Sequence, residues 1–168
     1  EVVSKTKSSL VMKKDMQLDN YSGTTFNVTV DREVKVLDAA DAVAKLGLTP
    51  DAGVKMVAYE SANKISNTGK DKWDKTTGML SVWILGMYNP SPATTVVIPY
   101  NAGPESERGP IVNDAYFGKV PPERLKIAEN MVIYFKADGA YRSKIGLSPR
   151  RATPVMGSYD AAAKALTI

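Results

Sequence analysis

The stretch TTFNVTVDREVKVLD, residues 24–38, alternates apolar and polar side chains along almost its whole length. Phe26, Val28, Val30, Val34 and Val36 share one parity, and Thr25, Asn27, Thr29, Asp31, Glu33 and Lys35 share the other. A period of two puts these sets on opposite faces only if the backbone is extended, so the segment predicts a long strand with one dry and one wet face. A strand with a single dry face needs partners beside it. SSLVMKKDMQL at 8–18 supplies one, with the turn residues DNYSG at 19–23 between them. Arg32 alone breaks the apolar parity.

The remaining pattern is mostly of short strands. DAADAVAKLG at 38–47 predicts one short helix, with Asp38 as N-cap and Gly47 as its end. VKMVAYESANKISN at 54–67 reads as a strand covered on both faces at its start, and NTGKDKW as an exposed turn. TTGMLSVWILGMY at 76–88 is apolar on both parities and predicts a central strand, with Trp83 in the core. Further strands are expected at 94–100, 131–138, 141–148, 153–160 and 164–168. The Gly- and Pro-rich stretch at 101–114 is expected as a long loop, and Pro121-Pro122 excludes a continuous helix or strand there. This spacing predicts an all-β antiparallel sandwich with one short helix near 39–47, built as a single domain over 1–168.

Composition narrows the chemistry. With 168 residues, 43% hydrophobic and 24% charged, the chain has the make-up of an ordinary globular domain. No Cys is present, which excludes disulfides and thiolate chemistry, and no His, which removes the commonest base and metal ligand near neutral pH. No metal site and no cofactor is expected. The net charge of +4 is spread along the chain, the one dense pair being Arg150-Arg151, so no nucleic-acid partner is expected. No apolar run reaches the roughly 20 residues of a membrane span. The opening EVVSKTKSS lacks the basic start and apolar centre of a signal peptide. The apolar faces of 54–67 and 77–88 call for a cover, either a second copy or a companion segment.

Three stretches together resemble a known family: YESANKISNTGKDKWDKTTGMLSVWILGMYNPSPATTVVIPY at 59–100, GPIVNDAYFGKVPPERL at 109–125 and KADGAYRSKIGLSPRRATPVMGSYD at 136–160. The chain resembles an uncharacterised bacterial domain family, often met in Bacteroidetes, of the galactose-mutarotase-like superfamily. The resemblance implies a supersandwich, of which 168 residues would be the C-terminal half or so. It also implies a groove for a sugar or glycan and a periplasmic or extracellular protein. Mutarotase-like epimerases pair His with Glu at the sugar ring; with no His in this chain, that mechanism does not carry over.

Sugars are gripped by aromatic faces and by planar amides, carboxylates and guanidinium groups. The candidates are Arg32, either ion-paired or lining a cavity; Glu60 and Asn63 at the polar end of a strand; Trp73, a sugar platform or a lid; Glu105 in PESERG, beside Glu107; and Arg142, which with Lys144 forms a clamp for an anion or pairs across strands. The expected function is carbohydrate binding or processing, with a non-catalytic scaffold or interaction module as the alternative.

Overall fold

The computed structural model describes all 168 residues. They form two compact units, Glu1–Leu85 and Gly86–Ile168. Regular structure is almost entirely antiparallel β, in one sheet of four strands and one of five, which agrees with the all-β, sandwich-like class expected.

The first unit is arranged around its longest strand. In chain order it contains β1 (Val2–Lys5), β2 (Ser9–Asp19), β3 (Thr25–Leu37), helix α1 (Ala39–Leu46) and β4 (Ala58–Asn67), with sheet order β1-β2-β3-β4. The register places like with like. On one face Leu18 lies opposite Phe26, Met16 opposite Val28 and Val30 opposite Ile65. On the other, Thr29 donates to Asp15, Thr25 to Asp19 at 2.6 Å and Gln17 to Asn27 at 3.2 Å, each bond joining residues directly opposite. Such cross-strand pairs fix the register, because a slip of one residue would put every valine in water. The turn at 20–24 closes as its composition predicts: the Asn20 side chain accepts the Thr24 N–H at 2.8 Å.

Burial on the dry face is uneven. Phe26 and Val28 are 4% and 1% exposed, with the Trp73 ring edge-on to Phe26 at 6.1 Å. At the far end of the same face Val36 is 55% and Tyr59 70% exposed. Helix α1 starts and ends where the sequence says. Asp38 accepts the Asp41 N–H at 2.8 Å, and Gly47 closes the helix at φ 62°, a left-handed angle that costs glycine little.

Four expected strands differ. Strand β4 begins only at Ala58; Val54 and Val57 before it are 58% and 93% exposed, so the start of 54–67 is not covered on both faces. The central strand expected over 77–88 does not form. Between Met79 and Pro90 no backbone group makes a hydrogen bond within the chain, and Trp83, expected in the core, is 79% exposed. The cause lies just upstream. The Asp74 carboxylate gathers the Thr76 and Thr77 N–H groups at 2.8 and 3.0 Å, Gly78 N–H returns to Asp74 O at 2.8 Å, and the chain leaves this turn without joining a sheet edge. Apolar side chains make a strand possible; only ladder bonds make it one. Third, 141–148 is irregular, held by the reciprocal Asn113–Gly146 bonds at 2.8 Å, and the expected strand over 153–160 shrinks to its last four residues.

The second unit comprises β5 (Thr94–Pro99), the single-turn helix α2 (Glu105–Arg108), β6 (Leu125–Ala128), β7 (Val132–Lys136), β8 (Gly157–Asp160) and β9 (Ala165–Thr167), with sheet order β6-β7-β5-β8-β9. Strands this short cannot shape the long loops between them, and arginines take over that task. Arg151, 2% exposed, donates to three backbone carbonyls: Gly109 at 2.8 Å, Asn101 at 3.1 Å and Gly103 at 3.0 Å. Arg108 donates to Arg150 O at 2.9 Å, and Arg150 to Glu107 O at 2.7 Å, pinning the PESERG turn to the second loop. A buried guanidinium is tolerable because its fork is filled by these acceptors. Replacing Arg151 by Met should therefore destabilise the protein by on the order of 3 kcal/mol in chemical denaturation, and Arg151→Lys should recover little of it, since one ammonium cannot reproduce the fork. An unchanged denaturation midpoint would refute this role.

Candidate functional site

One face of the five-stranded sheet carries a cavity. The register aligns Val96 of β5 with Phe135 of β7 and with Ser158 of β8, giving a floor that is apolar in the middle and hydroxyl-bearing at one side. Tyr88, Asn89, Tyr141 and Ser143 also line the cavity, whose volume is about 310 Å3. Within the lining Gly139, at φ 73°, sits so close to Pro90 that a Cβ would fall 2.9 Å from the ring carbons. Glycine is needed there both for the left-handed angle and for the approach.

The Tyr141 wall is held by charge. Arg124, carried by the turn before β6, lies 5.0 Å from the Tyr141 ring centre and grips Asp138 with both ends of its fork, through Nη1 to Oδ2 at 3.2 Å and through Nη2 to Oδ1. Both side chains are largely shielded from water, and Lys136 adds a second cation 3.3 Å from Asp138. The Ala140 N–H completes the shell at 3.0 Å. The guanidinium first, then that N–H, hold the Asp138 carboxyl far below the ordinary carboxylate range, and Asp138 in turn raises Arg124 above its usual value. Across the floor, Asp160 is also lowered, chiefly by the Ala163 N–H and the Ser91 hydroxyl. Both carboxylates beside the cavity are thus ionised and occupied by donors, a poor state for a general acid.

The sequence-derived candidates are distributed differently. Arg32 and Asn63 lie directly opposite each other on β3 and β4, on the dry face of the first sheet. Arg32 is exposed and has no hydrogen-bond or ion partner, while Asn63 donates to Ser61 O and Oγ at 3.3 and 3.0 Å. Glu60 belongs to the opposite face and pairs with Lys45 of α1 at 3.1 Å. Trp73 is half-buried against Phe26, its indole N–H without a partner. In the second unit Glu105 opens the exposed turn of α2, and Arg142 lies over the Phe117 ring at 4.2 Å. None of the six lines the cavity. Tyr88, Tyr141, Ser143 and Ser158 escaped the sequence reading because they come from three separate segments. Their one local signal is the glycine turn KADGAY, in which a carboxylate, a glycine and an aromatic fall within four residues.

No cluster of three His, Cys, Asp or Glu side chains suited to a metal ion occurs, and no helix is long and apolar enough to cross a membrane. Compared with known proteins, the sequence matches the family of unknown function DUF6786 over residues 1–168. The chain belongs to this family. No curated protein and no solved structure matches.

The sign of the pH dependence around Tyr141 follows from Asp138. A carboxyl lowered by folding adds stability that is present above its unfolded pKa, near 4, and is lost as pH falls toward its folded value. The native protein should therefore lose thermal stability steeply below about pH 4. Asp138→Asn should be less stable at pH 7, because Arg124 is left without its counter-charge, and its midpoint should fall less between about pH 4 and pH 2. Parallel midpoint-versus-pH curves for the two proteins would exclude this.

Proposed function

We propose that this DUF6786 chain binds a carbohydrate, with the cavity over β5, β7 and β8 as the binding site. The observation that carries the reading is the lining itself: two exposed tyrosines facing a Phe-Val floor, with Asn89, Ser143 and Ser158 as hydroxyl-bridging groups at the rim. Aromatic faces suit the C–H side of a pyranose ring, and amide and hydroxyl groups suit its edge. The cavity lies at the lower end of the size range for small-ligand sites, which fits one sugar unit of a longer glycan. Binding without turnover is favoured, since the chain has no His and Asp138 and Asp160 are both committed to other donors. A mutarotase-like architecture and a periplasmic or extracellular location belong to the same proposal.

Glycan-array screening followed by calorimetry tests it. At least one neutral or acidic sugar should bind in the micromolar to millimolar range, and Tyr88→Ala should weaken it by about tenfold or more, because an aromatic anchor is lost. Tyr88 is 66% exposed and makes no hydrogen bond, so the unfolding midpoint should stay within about 0.5 kcal/mol of the parent. Absence of any binding at millimolar sugar would end the proposal.

A second reading, an interaction module, is favoured by one observation: Val82, Trp83, Ile84, Leu85 and Met87 are 49–84% exposed on a segment whose backbone is unpaired. An extended run of this kind can add to a sheet edge of a second copy or a companion chain. If it does, light scattering should show concentration-dependent association that Trp83→Asp abolishes; a monomer at all concentrations, with no partner dependence and no dye binding, would exclude it.

A further inference from the structure

We infer that a second groove in the same unit, beside Lys144 and Arg142, is an anion-accepting subsite that takes the carboxylate of an acidic sugar. The inference rests on the carbohydrate reading above and names the class of glycan. Segment 141–146 is the wall common to both places. Tyr141 and Ser143 line the first cavity, whereas Arg142 and Lys144 reach the aromatic pair of a different loop. Lys144 Nζ lies 4.1 Å from the Tyr116 ring centre and Arg142 lies 4.2 Å from that of Phe117. The two rings pack edge to face at 4.6 Å, and the reciprocal Asn113–Gly146 bonds tie their loop to the wall. A groove of about 320 Å3 lies here, lined by Asn113, Tyr116, Lys144 and Ile145, with Arg142 next to this lining along the chain rather than within it.

Neither cation of this pair has a counter-charge within the chain, and both rest on aromatic rings. Elsewhere in the unit Lys119 pairs with Asp114 at 2.9 Å, and Arg124 and Lys136 pair with Asp138. Arg142 and Lys144 have no carboxylate within 4.0 Å and donate no hydrogen bond to the chain, although the aromatic faces hold both in place. The nearest acidic residue along the loop, Asp114, is already engaged by Lys119 and by the Val120 N–H at 3.2 Å, so it does not neutralise the groove. A cation resting on a ring keeps its outward N–H groups for a ligand, and a guanidinium fork matches a planar carboxylate in particular. An aromatic ring, an amide and the uncompensated Lys144 in the groove, with Arg142 two residues away on the same wall, suit a sugar ring that bears a carboxylate, the uronate class.

Calorimetry at low ionic strength (about 0.02 M) with uronate oligosaccharides, their methyl esters and inorganic sulfate tests this on the intact chain. The expected result is that the acidic oligosaccharides bind about tenfold more tightly than the esters, and that in the variant combining Arg142→Gln with Lys144→Gln acids and esters bind with equal affinity. Esters that bind as tightly as acids, or a preference that survives in the double variant, would overturn the subsite and leave the first cavity's role standing. Sulfate binding as tight as that of the acidic sugars would overturn its assignment to a sugar carboxylate. If neither acids nor esters bind, the carbohydrate reading falls, and this inference with it.

Discussion

Backbone hydrogen-bond pairing is the constraint on which the rest of this structure depends. Strand β3 is bonded along its length to β2 on one side and to β4 on the other, and β5 holds the equivalent place between β7 and β8. Each N–H and C=O taken out of water must find a partner, and in a β protein that partner belongs to another strand. At Phe26 and Val28 the dry face is also covered, by Trp73 in the case of Phe26, and these side chains are buried. From Met79 to Pro90, where no strand neighbour exists, a run just as apolar is largely exposed.

The second unit meets the same demand by a different route. Its strands have three to six residues, and much of its chain lies in loops whose carbonyls need donors. Arginine supplies them: Arg151 to three carbonyls from one buried fork, Arg108 and Arg150 to each other's loops, and Arg124 to Asp138 beneath Tyr141. The mild positive charge of the chain is thus partly structural. Arg142 and Lys144 take no part in this internal bonding and stand instead on aromatic rings at the surface.

How much could be read in advance depended on the range of the interaction. The β2–β3 hairpin was legible because its period of two and its DNYSG turn are local, and α1 was legible because Asp38 and Gly47 act within one turn of its ends. Arg32 was correctly seen to interrupt the dry face, and its cross-strand pairing with Asn63 joins two of the chosen candidates. The cavity was not legible. Tyr88, Phe135, Tyr141 and Ser158 lie 6 to 47 residues from their nearest neighbour in that set, and nothing in the local pattern of any one marks it as facing the others. The run 77–88 misled for the same reason in reverse. Its apolarity is a local fact, but a central place in a sheet is a property of the neighbours it lacks.

Alternation, turn chemistry and the absence of His and Cys were enough to establish an antiparallel β protein with one short capped helix and to exclude thiol and imidazole chemistry. The chemical exclusions follow from side-chain type alone, and the hairpin and the capped helix from patterns that act over a few residues. Which apolar residues are buried, which arginines are consumed in holding loops, and which tyrosines face a common hollow were settled only by three-dimensional packing. Those outcomes turn on pairings between segments far apart in sequence, whose free energy depends on geometry that no single stretch encodes.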